Sequence, residues 1–400
     1  MDTSFSLLST LTLLGAAQGV FLAMALLNTR VGDIKAHQIL ALLTFLFAMD
    51  LGEEFLYQIG FFESVPNLLH VLAPIDLLYG PLIFLYVSQL TSPSNHGTVK
   101  RHYLHFLPAL AGILALLPFF LMDGSQKLEF TEALRTGDAM ENDTSEAQII
   151  QFGFILFMLG TIVQLGMYLL FSIRRLIRHS TNIRNEFSDI DKINLAWLRN
   201  LLLGLSCIYL LYLGDQFFPD LLGMNILGDM VTVVAVMLIY AMGYLGLRQP
   251  AIFTRALAPP QKEIQERVDQ VDEKYRRSGL DKGTSLVFLN ELTGHMESEK
   301  PYLEGDLVLP QLAQQLGISA NYLSQIINEQ LQVNFYDFVN GYRVEEAKRL
   351  MRNAGQQSTK ILNIALDSGF NSKSAFYTAF KKATSMTPTQ YRNTLKHPVL

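Results

Sequence analysis

Carboxylates inside apolar stretches are the residues of this 400-residue chain that most need a chemical reason. Asp50, Glu53 and Glu54 fall within the apolar run Ile39–Phe62, and Asp76 falls within Leu68–Leu90, six residues after His70. An ionised side chain at the centre of a membrane helix costs ~2.5–3.5 kcal/mol on insertion scales, so each such group requires a partner, a proton or water. Spacings of three and four put Asp50, Glu53 and Glu54 on roughly one helical face. These five residues suit a polar pocket within a helical bundle, one that takes a cationic or hydroxylated small molecule or a proton. Hydrogen bonding between helices is the alternative use for the same acids. Elsewhere the sequence holds no phosphate-binding glycine loop and no nucleophile motif, and His102 with His105 make a weak metal signal. The expectation is no catalytic residue, no cofactor and no metal. The single cysteine, Cys207, excludes an intrachain disulfide.

The elements that must position these acids are long and apolar. Half of the residues are hydrophobic and only 17% are charged, well below the ~25% charge of soluble proteins. Seven stretches approach or exceed the ~20 residues needed to cross a bilayer core: Leu7–Leu27, Ile39–Phe62, Leu68–Leu90, His105–Leu121, Ile149–Ile173, Leu195–Phe218 and Ile226–Leu247. Lys and Arg, which mark cytoplasmic connections, collect in alternate ones: Arg30 and Lys35, then Lys100 and Arg101, then Arg174 to Lys192, then Arg248 and Arg255. This predicts an outside amino terminus, an odd number of spans and a cytoplasmic carboxyl terminus. The first run lacks a basic leader and a small-residue cleavage site, so it reads as a retained anchor. The acidic stretch Met122–Gln148 reads as a short outward cap or gate. Asp215 and Arg199 read as structural residues near the two interfaces.

Beyond Pro250 the apolar residues become amphipathic in spacing. After Ala258-Pro259-Pro260 the pattern predicts helices at Gln261–Arg277 and about Thr284–Glu299. Next come a short helix Leu309–Leu316, a Gly317-Ile318 turn, and Ser319 as cap of a helix Ala320–Gln330. The layout recurs as Ile361–Ser368, Gly369-Phe370, and Ser372 capping Lys373–Ala383. Short helix, glycine turn and hydroxyl-capped second helix is the helix-turn-helix layout. Between the two units Phe335–Arg352 reads as one helix of ~27 Å, long enough to hold two heads about one DNA turn, ~34 Å, apart. Lys and Arg outnumber Asp and Glu ten to five from Leu307 onward, an asymmetry hidden by the whole-chain charge of −5.

Several separated motifs here fall in order at familiar intervals. Glu299-Lys-Pro-Tyr-Leu303, Ser319-Ala-Asn-Tyr-Leu-Ser324, Arg343-Val-Glu-Glu-Ala-Lys348, Gly369-Phe-Asn-Ser-Lys-Ser374, Phe380-Lys-Lys382 and Met386-Thr-Pro-Thr-Gln-Tyr-Arg392 resemble the AraC/XylS transcription regulators over about Pro301–Asn393. The chain as a whole resembles the membrane-bound branch of that family. The resemblance implies that Asn321, Ser324, Gln325 and Asn328 on one recognition helix, and Lys373, Ser374, Tyr377 and Thr378 on the other, face base edges. It assigns Lys381, Lys382 and Arg392 to phosphate. Gln332 and Ser385 depart from the family, standing where glycine is usual after each recognition helix.

The expected architecture is all-α: a seven-span sensor domain over 1–250, a helical connector over 251–300 and a tandem helix-turn-helix domain over 301–400. The leading functional expectation is a one-component regulator in the bacterial inner membrane that senses a signal and reads promoter DNA. Its expected partners are double-stranded DNA, the lipid bilayer, a second copy of the chain, RNA polymerase and a small-molecule or periplasmic signal. A transporter with a regulatory tail and a passively anchored regulator are the alternatives.

Overall fold

The computed structural model of this chain describes residues 6–30, 33–91, 99–136, 145–191, 193–217, 226–247, 282–353 and 360–396. Regular structure among the described residues is helical, with one isolated antiparallel bridge between Phe187 and Val308. They divide into two compact units, Met1–Ile177 with Leu195–Ala251, and Arg178–Asn194 with Ile252–Leu400.

The first unit contains α1 (Leu7–Asn28), α2 (Ile34–Gln58), α3 (Phe61–Ser64), α4 (Asp76–Thr91), α5 (Leu107–Phe120), α6 (Gly124–Thr136), the first part of α7 (Ser145–Glu186), α8 (Ala196–Phe217) and α9 (Ile226–Leu247). Side-chain caps start the first two: Ser6 Oγ accepts the Ser9 N–H at 3.0 Å, and Asp33 accepts the Ala36 N–H at 3.1 Å, each satisfying a donor the helix itself leaves open. Glycines set the closeness of α1 to its neighbours. A Cβ at Gly19 would lie 2.7 Å from the Ala48 Cβ, and one at Gly15 would lie 2.7 Å from Val236. Small residues of this kind let apolar helices approach without a hydrophobic driving force. The outward faces are apolar too: Phe21, Leu114 and Phe152 are 60%, 62% and 67% exposed.

Among the described residues, Leu7–Asn28, Pro66–Thr91, Tyr103–Phe120, Gln148–Glu186 and Ala196–Gly214 are long and apolar enough to cross a membrane, and Gly228–Tyr244 is a shorter apolar helix. The second expected run forms α2, which carries three acids and is not among these segments. The third run is not one continuous helix. Short 3-10 turns at Pro66–Leu68 and Ala73–Ile75 precede α4, because Pro74 has no N–H and His70 sits in the left-handed region at φ 57°. The stretch expected as an outward loop, Met122–Gln148, contains α6, whose Phe130 packs against Phe119 and Ile150.

The second unit contains Arg178–Asn194, then α10 (Lys282–Ser298), α11 (Leu309–Gln315), α12 (Ala320–Gln330), α13 (Phe335–Asn353), α14 (Ile361–Asp367), α15 (Lys373–Thr384) and α16 (Pro388–Lys396). The expected helix Gln261–Arg277 and the Pro259-Pro260 break lie outside the described residues. The other connector helix is α10, and it joins a core: Leu292 and Met296 are fully buried with Leu312, Leu323, Ile327 and Val339. A second core groups Val344, Ala347 and Met351 with Ile364, Phe370, Phe376 and Phe380. α13 supplies Phe335, Phe338 and Val339 to the first core and Val344, Ala347 and Met351 to the second, so one helix carries both helix-turn-helix cores.

Arg343 on α13 is 1% exposed. Its Nε donates to Tyr302 O at 2.7 Å, its Nη1 to Ser188 O and Asn340 Oδ1 at 3.2 Å, and its Nη2 to Glu304 O at 2.6 Å and Ser188 Oγ at 3.0 Å. Burial pulls the guanidinium down to about 10, still charged at neutral pH. Replacing it with an apolar residue removes the donor to Tyr302 O and Asn340 Oδ1 and one of the donors to Glu304 O and Ser188 O. We therefore expect Arg343→Met to lower the stability of the full chain by on the order of 3 kcal/mol, read as a drop in the unfolding midpoint.

Gln332 and Ser385 occupy the left-handed region at φ 56° and 60°. Glycine's place after a recognition helix is thus taken by residues that pay a steric cost there. Ser385→Gly should raise stability by about 0.5–1 kcal/mol, whereas Ser385→Val, β-branched at positive φ, should lower it in the same melt.

Candidate functional site

Each reading head is built the same way. Ser319 Oγ accepts the Tyr322 N–H at 3.2 Å and starts α12; Ser372 Oγ accepts the Ala375 N–H at 3.0 Å and starts α15. The turns before them need positive φ, supplied by Gly317 at 65° and Gly369 at 90°. Gly369 is doubly required, since a Cβ there would press on the Tyr302 carbonyl and lie 2.9 Å from Leu303 Cα. Leu323, Ile326 and Ile327 turn one side of α12 into its core, and Ala375, Phe376, Ala379 and Phe380 do so for α15.

The opposite sides carry the residues singled out from the sequence. On α12, Asn321 is exposed, Gln325 donates to Glu329 Oε1 at 2.8 Å, and Asn328 donates to Ser324 Oγ at 3.2 Å. On α15, Lys373 and Thr378 are exposed, with Lys373 Nζ 5.3 Å from the Tyr377 ring centroid. Ser374 is engaged within the unit, donating to Asp191 Oδ2 at 2.9 Å. The three cations assigned to phosphate differ in surroundings. Lys381 is exposed, Arg392 is half-buried, and Lys382 donates to Asp337 Oδ1 at 2.7 Å, tying α15 to α13. The basic excess of this region overstates its surface charge: Arg343 is buried, and Lys348 and Arg349 pair with Glu345 and Glu346 one helical turn away.

In the first unit the acids separate. Asp50, Glu54 and Asp76 line a cavity of about 280 Å³ together with Phe47, Tyr79, Tyr209 and Tyr212. The Tyr79 hydroxyl donates to Asp50 Oδ2, and Phe47 stacks on Tyr79 at 4.4 Å between centroids. Gln58 donates to Glu54 Oε1 at 2.8 Å. Glu53 and His70 are not part of the lining. Glu53 instead receives the His70 backbone N–H, and the His70 ring sits 5.9 Å from both Phe119 and Phe154. The reason is angular: at about 100° per residue, Asp50 and Glu54 lie near one line of α2 while Glu53 points well away from Glu54. Tyr79, Tyr209 and Tyr212 escaped the sequence reading because tyrosines in apolar helices look like packing. Spacing along α2, had it been measured from Asp50 and Glu54 alone, would have separated Glu53.

Residues 312–394 match the model of the Helix-turn-helix domain family. Over 87 residues, 22% of this chain, the sequence is 39% identical to an uncharacterized HTH-type transcriptional regulator of Staphylococcus aureus (strain COL), of which the match covers 11%. It is 31% identical over 86 residues to the Melibiose operon regulatory protein of Escherichia coli (strain K12), covering 28% of that protein. A solved protein of unknown function from Listeria innocua is 33% identical, with 27% of this chain and 95% of that one covered and a TM-score of 0.23. The chain carries a helix-turn-helix domain similar to those of transcriptional regulators, and it spans only a minor part of the length of these curated relatives.

The two classes of polar residue on the heads should separate experimentally. Lys373→Ala and Gln325→Ala should each relax preference at particular base pairs, by about 1–3 kcal/mol per lost contact. Lys381→Ala should weaken binding evenly across sequences and reduce the salt slope by about one. Selection of duplexes from a random pool at two salt concentrations measures both.

Proposed function

We propose that this chain is a membrane-anchored, one-component transcription regulator of the AraC/XylS type, whose two heads enter successive major grooves of promoter DNA. The observation that carries the reading is one helix, α13, shared by two helix-turn-helix cores, in a chain whose described residues also hold five helical segments apolar enough to cross a bilayer. The family match over 312–394 supports the DNA-reading part. The apolar exterior of the first unit and the alternation of Lys and Arg between its runs support a multi-pass inner-membrane location with the carboxyl terminus in the cytoplasm. Asn321, Ser324, Gln325, Asn328, Lys373, Ser374, Tyr377 and Thr378 are the proposed base readers, and Lys381, Lys382 and Arg392 the proposed phosphate contacts. A second copy of the chain and RNA polymerase are the proposed protein partners.

The signal enters this reading through the cavity. Its acids Asp50, Glu54 and Asp76 and its aromatic wall of Phe47, Tyr79, Tyr209 and Tyr212 suit a small cation with an apolar body, since carboxylates neutralise the charge and ring faces attract it. Ligand binding changes DNA occupancy only to the extent that it favours one state of the protein over the other.

Sequencing DNA cross-linked to the full chain in cells should give enrichment at discrete promoters. Asp50→Asn with Asp76→Asn should change transcription from those promoters at unchanged protein level in the membrane fraction. Enrichment no greater than for an unrelated membrane protein would remove the regulator reading. The same cavity suits substrate movement, and proteoliposome uptake abolished by the same two substitutions would replace the receptor by a transporter.

A further inference from the structure

The stretch between α7 and α8 lies on the second reading head. Phe187 bridges to Val308, and the Ser188 N–H donates to Leu307 O at 3.2 Å while its Oγ donates to the same carbonyl at 2.7 Å. Asn340 and Arg343 both donate to Ser188 O. This zip delivers two carboxylates to the start of α15. Asp189 Oδ2 accepts from Asn371 Nδ2 at 2.9 Å, and Asp191 Oδ2 accepts from the Oγ of both Ser372 and Ser374. These partners are 181 to 183 residues apart in sequence, so local chain geometry does not explain the contact.

The place they occupy is the N-terminal end of a recognition helix. That end carries the partial positive charge of the helix dipole, which favours an anion, and in helix-turn-helix proteins its residues approach base edges and phosphates. Asp189 and Asp191 therefore satisfy the very donors that a nucleic-acid phosphate or base would use. They also set two negative charges where the DNA backbone brings its own.

We propose that Phe187–Asp191 is a built-in competitor for DNA at the second head, so that the head reads its groove only when this segment leaves Asn371, Ser372 and Ser374. The inference rests on the DNA-binding reading above and adds its regulation. Chain connectivity makes the segment a natural relay, because it is the covalent link between two helices of the apolar unit. Asn321 at the start of α12 is exposed, so the first head stays available while the second is held. Partial binding through one head then precedes full engagement.

The test uses the full chain in detergent or nanodiscs and a duplex enriched from a random-sequence pool. Asp189→Asn with Asp191→Asn keeps the size of both side chains and removes both charges. Like charges juxtaposed at an interface cost several kcal/mol, so this variant should bind the duplex about tenfold tighter or more. Its unfolding midpoint should change little, since Ser188 and its bonds to Asn340 and Arg343 remain. The opposite perturbation is a lock: Asp191→Cys with Ser374→Cys in a Cys207→Ser background. Oxidation should reduce affinity to that of the first head alone, and a thiol reductant should restore it. Unchanged or weaker binding by the Asn variant, with wild type binding normally, would overturn the competitor and leave the DNA-binding reading intact. Retention of no duplex by wild type, Asn variant or reduced lock would overturn both.

Discussion

A single buried guanidinium holds the DNA-reading unit together. The donors of Arg343 go to neutral acceptors, Tyr302 O, Glu304 O, Ser188 and Asn340, with Asp189 and Asp306 near enough to favour the charge. Taking that charge out of water is costly, and the cost is offset only while every one of those segments stays in place. The consequence is cooperativity. The Pro301–Gly305 stretch, the α7–α8 link and the long helix α13 cannot rearrange singly without orphaning hydrogen bonds in a site of low dielectric. The Arg343 guanidinium also lies 5.8 Å from the Phe370 ring centroid, at the turn into α15. The residue that joins these segments thus also touches the second head.

This places a regulatory contact on a rigid base. Ser188 is fully tied into the Arg343 network, yet Asp189 and Asp191, just beyond it, are half-buried and exposed. Their bonds are made in partly wet surroundings, where a charge-assisted hydrogen bond contributes modestly. A strong anchor beside weak, reversible contacts lets one end of a segment stay seated while the other yields.

The first unit solves a different problem with similar means. α2 carries three acids in an apolar helix, and the fold divides them: Asp50 and Glu54 face a cavity with Tyr79 and Gln58 as donors, while Glu53 meets a backbone N–H released by the left-handed turn at His70. The break in the run around Pro74 is therefore part of how the acids are satisfied.

The helices of the reading heads were legible in the amino-acid sequence because their signals are local. Ser319 and Ser372 cap the predicted helices, Gly317 and Gly369 make the predicted turns, and α13 runs one residue past its predicted end. The positions of Gln332 and Ser385 were legible too, as places where glycine is missing and left-handed backbone persists. Apolar runs were equally plain, since composition alone marks a greasy helix. What tertiary structure decided is everything that depends on who meets whom across the chain. Arg343, counted in the basic excess, is core; α10, read as part of a connector, joins the first core; Asp189 and Asp191, unremarked in a basic stretch, meet a helix start more than 180 residues away. Caps, turns and periodicity act over a few residues, so a sequence states them directly. Burial and pairing are set by packing between distant segments, and no spacing rule along the chain encodes that distance.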